Sequence, residues 1–280
     1  MTPLGHLPAL ARRVVLPRLG RRAPAFDAEA VTQVLGRLGV RSGGVLLVHV
    51  GFAPDLGFTG TPVELIEALR RALGPDGTLC MMSMPFTGQS AEAYLTSPEH
   101  RPFHVRRTMS KVGIVTEVFR RMPGVRRLLH PTHPVCVLGP AAESLCADVP
   151  DLTPFGPRGF FARLVEQDAQ MLLLGVGFRR LTFEHYLEDA IEPWLPAPLY
   201  GPPLRTEVID AENRPRTVEV LALTPEISAR RRTARLELLL RATGRLRSTA
   251  LGACEVHLCD ARPVLAVVRR AVRLGWRFHV

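Results

Sequence analysis

The chain has 280 residues, 46% of them hydrophobic, and a formal charge of +10 at pH 7. That is enough apolar material for one large, well-buried domain, yet no apolar run reaches the length that spans a bilayer. The charge invites a nucleic-acid reading, but all of the 36 Lys+Arg except Lys111 are arginine, spread along the whole chain and not interleaved with aromatics, which argues against it.

Residues 1–25 read as a basic arm, because "MTPLGHLPALARRVVLPRLGRR" lacks the continuous apolar stretch of a signal peptide. Residues 26–280 read as a single domain. "FDAEAVTQVLGRLGV" has helical spacing and an acidic first turn, and "GGVLLVHV" (43–50) is a strand. Thr61 as N-cap and Pro62 at the first helical position open the next helix, and Gly74 closes it. "GTLCMMSM" is a second strand. Pro85 to about Thr108 reads as a long irregular stretch, of the kind that forms lids and binding loops. "SKVGIVTEVFRRMPG" is a helix with Ser110 as N-cap, "HPVCVLG" a strand, "GFFARLVEQ" a short helix and "AQMLLLGVG" a buried strand. A helix from Phe183 follows.

A Pro-rich connection near 193–203 then leads into a C-terminal subregion. It holds a strand at "TVEVLAL", one very basic helix around "ARRRTARLELLLRAT", a strand at "CEVHLC" and a last helix. Alternating strands and helices define an α/β protein built in layers. Five cysteines (Cys80, Cys136, Cys146, Cys254, Cys259), odd in number and without CxxC, fit a reducing, cytoplasmic setting.

Several groups are candidates for chemistry. On the helix from Phe183 the period places Phe183, Tyr186, Leu187, Ala190 and Ile191 on one stripe, with Thr182, His185, Glu188, Asp189 and Glu192 opposite. Two readings stand: Thr182 caps a helix whose polar face is solvated, or the polar row is a site at the carboxyl end of a strand. Glu184, Glu188, Asp189 and Glu192 are also an acidic cluster suited to a cationic substrate. "RRTMSKVG" brings Arg107, Thr108, Ser110 and Lys111 to a helix N-terminus, where free amides attract anions. "GVG" is not a dinucleotide loop, because Arg180 stands where the third glycine belongs. In "CEVHLC" the alternation puts Cys254 opposite His257 and Cys259, so the three cannot converge on a metal. His130 and His133 in "HPTHP" lack carboxylate or thiolate partners at metal spacing and read as a packed or hydrogen-bonded pair.

The order of "LLVHVGF", "GPDGTLCM", "RTMSKVGIVTEVFRRMPG", "HPTHPV", "LTPFGPRGFFARL", "MLLLGVG" and "LTFEHYLE" resembles the aminoglycoside 3-N-acetyltransferase family. So does "GRLRSTALGACEVHLCDARPVLAVVRRAVRLG"; the likeness covers roughly residues 30 to 275. The resemblance implies a three-layer α/β/α fold around a central mixed sheet. It implies acetyl transfer from acetyl-CoA to an amino group of an aminoglycoside or related amino sugar, without a metal. Carried over residue by residue, His185 is the general base, Thr182 its hydroxyl companion and Glu188 its acidic partner. The coenzyme falls to His49, Arg107, Thr108, Ser110, Lys111, Val112 and Gly113, and the acceptor to Glu184, Asp189, Glu192 and His130. Val50 and Gly51 stand where the family usually has serines, Pro134 where serine is common, and Leu181 where a polar residue is frequent. Those departures leave two alternatives to an antibiotic-resistance enzyme: a biosynthetic amino-sugar N-acyltransferase, or a catalytically silent ligand-binding relative.

Overall fold

The computed structural model describes residues 24–147 and 153–280, so nearly all of the basic arm lies outside the described residues. In chain order the elements are α1 (Ala28–Leu38), β1 (Val45–Val50), α2 (Pro62–Leu73), β2 (Thr78–Met82), α3 (Ala91–Thr96), β3 (Phe103–His104) and α4 (Ile114–Arg121). Next come β4 (Arg126–Arg127), β5 (Val135–Leu138), α5 (Ala142–Leu145), α6 (Phe160–Glu166), β6 (Gln170–Leu174) and α7 (Phe183–Ala190). The remainder is β7 (Leu204–Ile209), β8 (Pro215–Val220), α8 (Pro225–Arg230), α9 (Thr233–Ala242), β9 (Arg247–Leu251), β10 (Cys254–Asp260) and α10 (Ala261–Arg273).

Seven strands form one mixed sheet in the order β4-β5-β2-β1-β6-β10-β9. Its centre, β2-β1-β6, is parallel, and β5 and β10 flank it antiparallel. The central strands are continuous apolar runs because both faces are covered. Leu46 and Val48 pack with α1, α2 and α4 on one side. Val45 and Leu47 pack with α5, α6, α7, α9 and α10 on the other. Each fully buried leucine, such as Leu46 or Leu47, contributes roughly 1.5–3 kcal/mol by removal from water. The result is the expected three-layer α/β/α arrangement.

Local rules account for many boundaries. Thr61 and Glu64 form a capping box at α2, and Gly74 ends that helix with φ 70°. In β10 Cys254, Val256 and Leu258 face one core and Cys259 the other, as the alternation requires.

Three expectations need correction, and two strands carry no sequence signal. The stretch from Pro85 to Thr108 is not structureless: it contains α3, capped by Ser90, and β3, which pairs with β7. Ser110 is not the N-cap of α4; Gly113 is, with φ 143°, and it offers no side-chain cap. The basic stretch makes two helices, α8 and α9, because Arg231 is extended (ψ 132°) and bridges to His279. Finally, the hairpin strands β7 and β9 were not legible. β9 is a largely exposed edge strand whose "RSTAL" carries no apolar alternation.

Candidate active site

The carboxyl ends of the parallel strands β1 and β6 lie side by side, with Val50 in register with Leu174. The chain leaves both through glycine. A Cβ on Gly51 would stand 2.3 Å from the Gly175 carbonyl oxygen, so the two backbones can approach this closely only without a side chain there. Beside this crossing opens a cleft of about 300 Å³. His49, Lys111, Val112, Gly113, Arg180 and Thr182 are among its lining residues.

One wall of the cleft is the start of α4. Because Gly113 has no side chain to cap it, the first-turn amides receive no N-cap side-chain hydrogen bond among the described residues. The open amides and Lys111 together make a cationic rim suited to phosphate. His49 contributes a buried ring whose Nε2 has no partner within the described residues, and burial pushes its pKa down to about 4. A neutral imidazole that lacks an internal partner suits a ligand with polar groups. The residues present therefore fit an anionic coenzyme.

Other residues assigned to the coenzyme are placed elsewhere. The Thr108 hydroxyl accepts from the His104 amide at 2.8 Å, which ties down the β3 turn. Ser110 is buried, and its amide donates to Glu117 Oε2 at 2.8 Å. Arg107 is exposed and is not among the lining residues.

Thr182, which precedes α7, makes no side-chain cap hydrogen bond and lines the cleft instead. One helical turn on, His185 Nδ1 donates to Glu188 Oε2 at 3.0 Å. The polar face of α7 is not solvated. Glu188 is fully buried, Glu184 is 3% exposed, and the His185 side chain keeps 21% exposure. The solvated-helix reading fails because Arg231, Thr233 at the start of α9, and His279 engage the carboxylates of that helix.

Glu188 collects four donors on two oxygens. Oε1 accepts from Arg231 Nε at 2.6 Å and from His279 Nε2 at 2.6 Å. Oε2 accepts from Arg231 Nη2 at 2.8 Å and from His185. Burial pushes the Glu188 carboxyl up, but the hydrogen bonds from His185, His279 and Arg231 outweigh it and hold the group well below the usual range. An ionised carboxylate only accepts, so His185 carries its proton on Nδ1 and presents a bare Nε2 lone pair. Burial also lowers the His185 pKa, against the opposing pull of Glu188, and the ring is neutral at pH 7.

The acceptor residues divide in the same way. Glu184 accepts from the Thr233 hydroxyl at 2.9 Å, and burial raises its carboxyl to about 7. It is therefore no free counter-charge. Asp189 accepts from the Tyr200 hydroxyl at 2.8 Å, and Glu192 is exposed. His130 is buried, with Nδ1 accepting from the Thr132 and His133 amides. It lies two rings away from His185, through His133 and Phe155, at centroid steps of 6.2, 5.0 and 5.3 Å. Among the described residues no group of three His, Cys, Asp or Glu is placed to hold a metal.

Arg231 and His279 were not read from the sequence. They lie 43 and 91 residues from Glu188, and no spacing connects them. The basic run that contains Arg231 reads in sequence only as part of one very basic helix.

The structure is thus an α/β fold in which a neutral imidazole, oriented by a buried carboxylate, lies one helical turn from Thr182 in a cleft at the carboxyl ends of parallel strands. The family model described as aminoglycoside 3-N-acetyltransferase matches residues 34–273. The chain belongs to that family. It is 41% identical to aminoglycoside N(3)-acetyltransferase IV of Salmonella sp over 163 residues, 58% of this chain and 58% of that relative's own length. With aminoglycoside N(3)-acetyltransferase VII of Streptomyces paromomycinus it shares 30% over 254 residues, 82% of this chain and 86% of the other.

Among solved structures, a mutant of aminoglycoside acetyltransferase AAC(3)-IVa in complex with a gentamicin superposes with a TM-score of 0.72. It is 30% identical and covers 92% of both chains. AAC-IIIb, as a binary complex with CoASH, shares the fold with a TM-score of 0.69 at 23% identity over 90% of this chain and 97% of the other.

Proposed function

We propose that this protein transfers the acetyl group of acetyl-CoA to an amino group of an aminoglycoside. The observation that carries the reading is the His185–Glu188 couple, with an unprotonated Nε2, one turn from the cleft residue Thr182. The relatives' names and the gentamicin complex support the acceptor class, and the CoASH complex supports the coenzyme.

The coenzyme supplies an acetyl thioester. His185 Nε2 takes the proton that the acceptor amine loses as its nitrogen bonds to the acetyl carbon, a contribution typically worth about 10²–10⁴ in rate. The C–S bond of the thioester breaks, and the imidazolium returns that proton to the departing sulfur, which leaves as the coenzyme thiol. Glu188 holds the ring in the required tautomer and stabilises the imidazolium that results. Thr182 donates its hydroxyl hydrogen to the acetyl carbonyl oxygen. Lys111 and the amides around Val112 and Gly113 bind phosphate, and His49 hydrogen-bonds a polar group of the coenzyme. Asp189 and Glu192 meet ammonium groups of the acceptor, while Glu184 acts inside the fold instead of on the substrate.

The test is thiol release from acetyl-CoA with gentamicin, apramycin and simple amino sugars, for the natural protein and for His185→Ala. Release with gentamicin or apramycin that is lost in the variant supports the reading. Release with amino sugars alone makes the protein a biosynthetic N-acyltransferase. Unchanged release in His185→Ala removes His185 from the chemistry.

A further inference from the structure

Glu188 is gripped by two side chains that come from one small piece of backbone. Arg231 and His279 face each other across an isolated antiparallel bridge. It is closed by hydrogen bonds from the Arg232 amide to the Phe278 carbonyl at 2.7 Å and from the Val280 amide to the Arg230 carbonyl at 3.1 Å. The His279 side chain is 2% exposed and its ring packs against Phe278 at a tilt of 44°, with centroids 4.4 Å apart.

A carboxylate bound only to His185 could rotate and present either oxygen to it. Here Oε1 is filled by Arg231 Nε and His279 Nε2, and the remaining Arg231 bond lies on Oε2 beside His185. The plane of the carboxylate is thereby set by two residues that are not among those lining the cleft, and with it the direction of the His185 ring. We infer that His279 is a positioning residue for acyl transfer: it orients Glu188 and moderates the negative charge that Glu188 offers to His185. The inference rests on the reading of His185 as the base.

The charged and titratable groups facing this cluster are Glu184 on the same helix, Arg231 from the bridge, and His133 near the ring of His185. Removing the His279 donor leaves Arg231 to keep Glu188 ionised. The carboxylate, with one donor fewer, then attracts the His185 proton more strongly, so imidazolium forms at higher pH.

The experiment follows the ring nitrogens of His185 by ¹⁵N NMR through a pH titration, in the natural protein, in His279→Leu and in His279→Gln. The His185 signals are assigned by their loss in His185→Gln. The expected result is an Nδ1-protonated neutral ring in the natural protein. In His279→Leu its pKa rises by about 0.5 or more, and it returns toward the natural value in His279→Gln, whose amide can donate to Oε1. With acetyl-CoA and the aminoglycoside found active, His279→Leu lowers kcat about tenfold or more with KM for both substrates unchanged, and the glutamine variant recovers part of it. An identical titration and tautomer in His279→Leu and the natural protein overturns the proposal, since His279 then only packs. Absence of release from the natural protein with every acceptor overturns the transferase reading instead, and the ring titration still decides the role of His279.

Discussion

Glu188 and Arg231 form a two-pronged ion pair in the protein interior, Nε to Oε1 at 2.6 Å and Nη2 to Oε2 at 2.8 Å, with the carboxylate fully buried. Breaking such a pair leaves a buried charge uncompensated. Arg231→Met is therefore expected to cost about 3–5 kcal/mol of stability, measured by urea unfolding. Adding Glu188→Gln to that variant should recover part of the loss, because it removes the stranded charge. A double variant no more stable than Arg231→Met would show that packing, not charge, was lost.

Turnover should depend on pH through His185. Burial keeps the ring neutral below the ordinary imidazole range, so the acidic limb of the kcat profile is expected to lie below pH 6.5. An acidic limb at or above the ordinary imidazole value would contradict the environment described for this ring.

Stability should fall on acidification, with two opposing contributions. Burial lowers His130 to about 3 and His49 to about 4, so both stay neutral in the fold and protonate when the chain unfolds. Their contribution is fully present above pH 6.5 and is lost as the pH falls through the interval down to those values. Glu184, raised to about 7 by burial and by Glu188, acts the other way. Its contribution is fully present below the ordinary carboxyl value and is lost as the pH rises through 7. Glu184→Gln should thus lose stability more steeply than the natural protein between pH 7 and 5. It should also gain up to about 3 kcal/mol relative to it at pH 8.5. Urea midpoints across that range are the measurement, and parallel curves would show that Glu184 ionises normally.

The glycine crossing at the cleft floor predicts an asymmetry between two neighbouring positions. Gly51→Ser drives a Cβ into the Gly175 carbonyl oxygen, and the backbones must part, at a cost of roughly 1–3 kcal/mol and of acetyl-CoA affinity. Val50→Ser, at a half-buried cleft position, should change stability by less than about 1 kcal/mol. Thermal melting and coenzyme titration of both variants check this. Equal tolerance at the two positions would mean that the crossing is loose.

Much of this protein is determined by sequence alone. The apolar runs at Val45–Val50, Thr78–Met82 and Gln170–Leu174 specify buried central strands, because two-sided burial leaves no alternation. Thr61, Pro62 and Gly74 place a helix to the residue through local backbone chemistry. The couple of His185 and Glu188 is likewise local, one helical turn, and its family likeness is carried by neighbouring residues. What tertiary structure alone decided is the state of those side chains. Whether the carboxylates of α7 meet water depends on the start of α9 and on a bridge whose far strand lies 91 residues away in the chain. Thr108 and the amide of Ser110 look like anion ligands in sequence, yet the β3 turn takes the Thr108 hydroxyl and Glu117 takes the Ser110 amide. Hydrogen-bond donors are satisfied by whatever the fold brings within about 3 Å, and spacing along the chain carries no record of that.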